Sequence, residues 1–481
     1  MRLQESIVKA FSAVVPLSLA LCPTAAFGFC GTYVGDGAST LQNRTSQIVL
    51  VRQYDQTTLT LSSDYSGDAE SFGLLIPVPP ALVAEDISLV DPQWIQDIET
   101  YTNPRLVSYT CEDFGGWEPP DHRAALGVSM PGAVMLSAMA CSDNSLYMGD
   151  NWADPMASES TVEVEAEIAV GEYDVVLLTA EESADLLRWL NLNGYVIDQV
   201  AEQMLQEYID AGSAFLAAKI NLERVSLEEE LRLSPLRLRY TSEAVSLPLR
   251  LGTLNSTGVQ DLVLHVISDL EESAYGISNY NRVYIDDECM SRELADGSFS
   301  PFYDDVLNTT LTPEGPGEAT WLLEYAWNVS PWGPHCDPCP PESLEIPVPE
   351  TTLAGLGFEW DEVDSWSGGL PSFAISRIRM RYAPEQINED LMLYSMGYVE
   401  NTQVRYIRHD SVLEGVLPVC GEGMVADPDR ICQYGVKPSV WTGITPALSA
   451  QCGAVEGGGS AVGLVALGAL ALRRRRMNLT S

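Results

Sequence analysis

Basic residues are scarce in this chain. Across 481 residues, 26 Lys and Arg face 68 Asp and Glu, and the formal net charge is −42. Lysine stands only at Lys9, Lys219 and Lys437. A body this acidic repels phosphate backbones and anionic headgroups, which argues against nucleic acid or anionic lipid as a partner of the body. Histidine is equally sparse, at His122, His265, His335 and His409. None falls in a His-Glu-x-x-His pattern, so a zinc peptidase of that type is not expected. There is no Gly-x-Ser-x-Gly elbow, Walker loop or Gly-x-Gly-x-x-Gly fingerprint. A hydrolase assembled from distant residues stays open, because geometry rather than spacing defines a triad. Long apolar runs are missing too: the tail segment Ala461–Leu472 falls short of the roughly 20 residues a full span needs.

The two ends read as addresses. Arg2 and Lys9 precede the apolar stretch Ala10–Leu21, and Ala26-Phe27-Gly28 offers small residues at both cleavage subsites. This predicts a signal peptide, residues 1–28, cut by signal peptidase after Gly28. Cys22 is the rival lipoprotein site, but bulky Leu21 precedes it and Pro23 follows. At the other end Gly457, Gly458, Gly459 and Ser460 lead into the apolar run, and Arg473, Arg474, Arg475 and Arg476 close it. Flanking small residues lengthen the run slightly and the arginines snorkel, holding this end on the cytoplasmic side. The tail, 457–481, resembles bacterial Gly-Gly C-terminal sorting signals processed by rhomboid-type intramembrane proteases. Cys452-Gly453 also fits a related myxobacterial tail that carries a Cys before the span. The resemblance implies export, at least transient membrane anchoring, and release or transfer to the cell surface; an uncut anchor is the plainer alternative.

Ten cysteines occur. Leader cleavage removes Cys22, and Cys452 lies beside the tail. The remaining eight, Cys30, Cys111, Cys141, Cys289, Cys336, Cys339, Cys420 and Cys432, are expected to form structural disulfides in an exported chain. Proximity favours Cys420–Cys432 and Cys111–Cys141, with the pairing open. Cys336-Asp337-Pro338-Cys339 is the constellation with most chemical promise, since two residues between thiols suit a redox disulfide or half a metal site. Pro338 and Pro340 favour a loop over the helix start that stabilises a redox thiolate, so a structural disulfide is preferred to the thiol–disulfide oxidoreductase. No cofactor is expected. Calcium is a weaker alternative at Asp143, Asn144, Asp150 and Asp154, at Asp286, Asp287 and Glu288, or at Asp304 and Asp305; none follows a known calcium loop.

Periodicity suggests a sheet-rich α+β fold with mainly antiparallel pairing and helices near 180–220. Ser46–Tyr54 and Thr57–Ser63 read as a hairpin, and Phe72–Pro79 as a buried strand placed by its prolines at an edge or an end. Asp91-Pro92 reads as the N-cap and first position of a helix. Val162–Val170 and Tyr173–Leu178 read as strands. Thr179 with Glu182 predicts a capping box for a helix Ser183–Leu192 that Asn193-Gly194 stops. An amphipathic helix carries Ile197, Val200, Met204, Leu205 and Tyr208, with Gly212 interrupting it before Phe215–Ile220. Leu231–Tyr240, Ser246–Leu251 and Asp261–Ser268 return to strand. Residues 109–155 and 312–350 read as irregular, and Asn388–Met396 as ambiguous. Ile375–Tyr382 reads as a strand with Arg377, Arg379 and Arg381 on one face, and Gln403–Arg408 as another. Arg237-x-Arg-Tyr-x-x-Glu243 and Arg379-x-Arg-Tyr-x-x-Glu385 echo each other; two strands whose exposed arginines meet an acidic surface explain this more simply than a duplication. The expected layout is a main α+β domain at 29–350, a continuation or small β-rich subdomain at 351–435, and a linker at 436–456.

Several segments in order look familiar: Phe29-Cys30-Gly31-Thr-Tyr-Val, Leu75-Ile-Pro-Val-Pro79, Pro104-Arg-Leu-Val107, Gly171-Glu-Tyr-Asp-Val175 and Trp189-Leu-x-x-Asn193-Gly-Tyr195. Tyr208-Ile-x-x-Gly-x-x-Phe215, Cys336-Asp-Pro-Cys339, Ser376-Arg-x-Arg-x-Arg-Tyr382 and Glu389-Asp-Leu391 follow. From Phe29 to His409 the chain resembles the bacterial "domain of unknown function 2330" family. The resemblance implies an exported protein, often with a sorting tail, and carries over no catalytic residue. The reading is therefore an exported envelope or surface protein, a binding or structural component rather than an enzyme.

Overall fold

The computed structural model describes residues 32–34, 42–66, 73–108, 161–195, 197, 201–221, 224, 233–255, 258–287, 289–295, 298–311, 318–330, 348–360, 371–419 and 423–426. They form a sheet-rich α+β fold in four layers.

The broadest layer is a mixed nine-stranded sheet. Its order runs Asn281–Val283, Thr320–Val329, Phe373–Tyr382, Gln260–Ser268, Gln42–Gln53, Gln56–Ser66, Leu236–Thr241 and Ile87–Leu89, with Thr402–Gln403 paired to Thr320–Val329. Most neighbours are antiparallel. Gln260–Ser268 runs parallel to Gln42–Gln53, and Asn281–Val283 parallel to Thr320–Val329. A five-stranded antiparallel sheet covers one face, in the order Thr32–Val34, Gly73–Val78, Ala214–Ile220, Tyr173–Thr179, Glu163–Val170. Side chains alternate along each strand. Leu262, Leu264, Val266, Ile378, Met380 and Tyr382 of the large sheet therefore meet Leu74, Ile76, Val175, Leu177, Leu216 and Ala218 of the small one.

The outward face of the small sheet, Leu75, Val176, Leu178, Phe215 and Ala217, packs on helices Ser183–Leu192 and Ala201–Asp210. The outward face of the large sheet carries helices Pro92–Thr102, Phe299–Leu311 and Glu350–Leu356. Both sheets are thus buried on two faces, so several strands are buried almost continuously rather than on alternate residues. Thr320–Val329 and Gln260–Ser268 show this pattern.

The hairpin Gln42–Gln53/Gln56–Ser66 closes through Tyr54, whose φ is 55°. Asp91 caps Pro92–Thr102 by accepting the Gln93 N–H. The Asn193-Gly194 stop is present, with Gly194 left-handed at φ 75°. Gly73–Val78 lies inside its sheet rather than at an edge. Its outer neighbour pairs only with Gly73 to Leu75, so Pro77 withholds no N–H from a partner on that side.

Four expectations need correction. Thr179 forms no capping box: it still belongs to a strand, where its hydroxyl bonds Glu165, and the Ser183 N–H is met by Gln206 from the next helix. Ala214–Ile220 is a central strand, because Gly212 at φ 81° ends the preceding helix and reverses the chain. Of the 246–251 segment only Ser246 and Leu247 are strand, as the end of Val245–Leu247, and Leu249–Gly252 is helical. The segment expected to be irregular near 312–350 contains the ten-residue strand Thr320–Val329. Phe373–Tyr382 lies between that strand and Gln260–Ser268, within the large sheet.

Candidate functional site

The helix-facing side of the large sheet carries a ladder of buried charge. Alternation puts Arg377, Arg379 and Arg381 on this face, as the sequence predicts, but Arg377 and Arg381 are buried rather than exposed to an acidic surface. Asp261 and His265 come from the neighbouring strand. Glu324 arrives by a β-bulge: the register shifts between Leu323 and Tyr325, and successive residues Glu324 and Tyr325 both turn toward the helices. Glu99 and Thr102, three residues apart on one helix, close the ladder from above, and Tyr303, Asp304 and Asn308 do so from another.

Arg377 is the hub. Its Nε donates to Glu324 at 2.5 Å, and its two terminal nitrogens donate to Glu99 at 2.6 and 3.0 Å. Burial pushes its guanidinium down, but Glu324 and Glu99 more than reverse this. Burial likewise pushes Glu99 up, yet Arg377 holds it below the ordinary carboxylate range. The Tyr303 hydroxyl donates to Glu324 at 2.7 Å; burial, then Glu324, raises that phenol far above its usual value. Next along the face, Arg381 grips Asp261 through two bonds of 2.9 and 2.6 Å and reaches Asn308 at 2.8 Å and Asp304 at 3.3 Å. Arg379 contacts the same Asp261 at 3.1 Å.

His265 is wholly buried. Its Nε2 lies 3.0 Å from the Thr102 hydroxyl, whose own hydrogen goes to the Ile98 carbonyl at 2.8 Å, and 3.3 Å from Arg377 Nη1. Nδ1 is buried without a partner. Burial, reinforced by Arg377, pushes the imidazole down to about 3. The hydrogen bonds of the hub are spent within the ladder, and His265 and Glu324 have no exposed surface. The ladder resembles a scaffold more than a reaction centre.

A second feature lies between the two sheets, a cleft of about 340 Å³. Leu59, Leu238 and Ile76 give it apolar walls; Pro77, Pro79, Pro80 and Pro248 stiffen its outline; Tyr208, Ser213, Ser242 and Ser246 supply hydroxyls. The turn that ends helix Ala201–Asp210 shapes one side, with the Ser213 N–H donating to the Tyr208 carbonyl at 2.9 Å. Asp390 shares the wall. Its Oδ1 accepts from the Tyr208 hydroxyl at 2.9 Å and from the Arg250 N–H at 3.0 Å. Burial raises its carboxyl, against the pull of those bonds. Asp390 thus ties helix and loop together through the Tyr208 hydroxyl, and the Ser242 hydroxyl bonds Thr57 and Arg52. The size lies within the range of about 300–1,000 Å³ typical of small-molecule sites.

Of the residues singled out in the sequence, Cys289 is fully buried and disulfide-bonded. Cys30, Cys111, Cys141, Cys336, Cys339, Cys420 and Cys432, and the tail residues Gly457–Ser460 and Arg473–Arg476, lie outside the described residues, as do His122, His335 and the Asp143–Asp154 cluster. Asp304 is engaged by Arg381, and among the described residues no group of three His, Cys, Asp or Glu is placed to hold a metal. Among the same residues no helix is long and apolar enough to cross a membrane. Sequence reasoning missed Glu99, Asp261, His265 and Glu324 as partners of the arginines. The available signal was a single charged or polar residue inside an apolar strand, as in Trp321-Leu-Leu-Glu324-Tyr-Ala-Trp327.

No curated protein and no solved structure matches the chain. A family model described as an uncharacterised protein conserved in bacteria matches residues 23–414, and the chain belongs to that family, DUF2330.

Proposed function

We propose that the chain is an exported, non-enzymatic binding component of the cell envelope or surface, sorted through its C-terminal tail, with the cleft between its two sheets as the recognition site. The observation that carries the binding reading is the cleft itself: about 340 Å³ with apolar walls, rigid prolines and serines in its lining. A ligand with a compact apolar body and a few hydrogen-bonding groups fits this lining. The ladder behind it supports a scaffold role, since its charges are matched internally. The leader and the Gly-Gly/arginine tail support export, and the eight body cysteines fit a disulfide frame in that setting.

Two measurements test the reading. Native mass spectrometry of protein purified from its own cells should show a small molecule retained by the wild type and lost in Ser246→Trp, which fills the cleft. Equal retention by the two proteins refutes the cleft. Intact mass of the same protein should begin at Phe29 and end near Gly457–Ser460; a mass that keeps Arg473–Arg476 refutes tail processing.

A further inference from the structure

We propose that Arg282 anchors a second binding site, separate from the cleft, for a small carboxylate with a flat apolar body. Arg282 sits on the short edge strand Asn281–Val283, where parallel pairing sets it opposite Trp321. Its guanidinium lies 4.5 Å from the ring centre of Tyr284 and 5.4 Å from that of Trp321. Its Nε is buried without a partner. Among the described residues it is the half-buried arginine that makes no hydrogen bond and no ion pair; the others at similar depth are bonded to carboxylates, hydroxyls or carbonyls. Burial pushes its guanidinium down, and the groups that oppose this are Tyr284 and Tyr394 rather than carboxylates.

This is an odd place for a lone cation. With 68 acidic residues against 26 basic ones, a carboxylate partner is the easiest thing for this sequence to supply. Withholding it leaves a partly desolvated charge that cation–π contacts satisfy only in part. The guanidinium fork matches a carboxylate through two parallel bonds. The surroundings suit a flat body. Tyr284 and Tyr394 are exposed beside the arginine, and Tyr394 pairs with Gly276, so the two share a face. A Cβ at Gly276 would come within 2.9 Å of both the Trp321 ring and the Met396 sulfur, so only glycine lets that strand lie against Trp321.

Benzoate is the probe, titrated calorimetrically into the full chain, with benzamide as its uncharged match. Benzoate should bind saturably and benzamide should not. Arg282→Gln should weaken benzoate at least about tenfold, Arg282→Lys less, and Ser246→Trp should leave it unchanged. The wild type offers a control that needs no variant: benzoate should slow phenylglyoxal modification of Arg282, read by peptide mass spectrometry, while exposed Arg408 reacts as before. Equal binding of benzamide, undiminished binding by Arg282→Gln, or no saturable binding together with no protection of Arg282 overturns the proposal. Loss of benzoate binding in Ser246→Trp assigns the site to the cleft and overturns it as well. A null result for the cleft ligand leaves these outcomes untouched.

Discussion

Replacing Arg377 by Met tests whether the charge ladder is a closed structural unit. The substitution keeps much of the side-chain volume and removes three charge-assisted hydrogen bonds, one to Glu324 and two to Glu99. The two carboxylates then fare differently. Glu99 is 16 % exposed and can recover some water, whereas Glu324 has no exposed surface and keeps only the Tyr303 hydroxyl. Breaking a buried pair from one side costs about 3–5 kcal/mol, because the charge left behind is uncompensated. Most of that cost should be traceable to Glu324. The double variant Arg377→Met/Glu324→Gln removes the stranded charge and still offers Tyr303 an acceptor, so it should recover about 1–3 kcal/mol relative to Arg377→Met alone. Urea unfolding at pH 7, followed by tryptophan fluorescence and far-UV circular dichroism, gives both numbers if the two probes coincide. Arg377→Met within about 1 kcal/mol of wild type, or a double variant no better than the single one, would show that Glu324 is not held as a buried partner of Arg377.

Two other perturbations bear on the same packing. His265 is held near 3 in the folded chain against an ordinary value of 6.5. Between those values the unfolded chain binds one more proton, so stability falls as pH drops through this window, by about 1.4 kcal/mol per pH unit. His265→Gln should therefore lose less stability than wild type between pH 6 and pH 5, above the range where Glu99 begins to contribute; parallel curves would remove His265 from the account. Gly355→Ala should destabilise by about 1–3 kcal/mol in spite of better helix propensity, because the new Cβ falls within 2.3–2.5 Å of the Trp94 ring. Unchanged unfolding midpoints would mean that the two helices separate freely.

The parts of the fold that were legible in the sequence are those with a local signature. Asp91-Pro92 marks a helix start because capping needs only its own neighbours, and Asn193-Gly194 marks a stop because a left-handed residue is required there. The arginine triplet of 377–381 declares its shared face through period two. Thr320–Val329 was hidden because both its faces are buried, so no alternation remains, and its Trp and Pro-rich flanks look irregular. Ala214–Ile220 was hidden for the same reason, as a centrally paired, two-sided strand that follows a helix. The ladder itself could not be read. Glu99, Asp261, Glu324 and Arg377 are distant in sequence, and the bulge that aims Glu324 is a property of pairing, not of composition. The cleft was equally out of reach, since its walls join residues from 59 to 390.

The distribution of cations ties these observations together. A protein with 26 basic residues against 68 acidic ones needs cations at its surface to relieve repulsion, yet Arg377 and Arg381 are committed to the interior, with Arg379 half-buried between them. That placement is sensible only where the carboxylates they meet are also buried, because a buried acid without a cation costs more than a solvated one repelled by its neighbours. Arg377 and Arg381 meet this condition with Glu324 and Asp261. The surface is left more acidic as a result, and its mutual repulsion weakens with added salt while the ladder does not. Stability should therefore rise with salt from the surface term alone, and the penalty of Arg377→Met should stay the same between low and physiological ionic strength. A penalty that shrinks as salt is added would place Arg377 in contact with solvent ions and undo the argument that the ladder is closed.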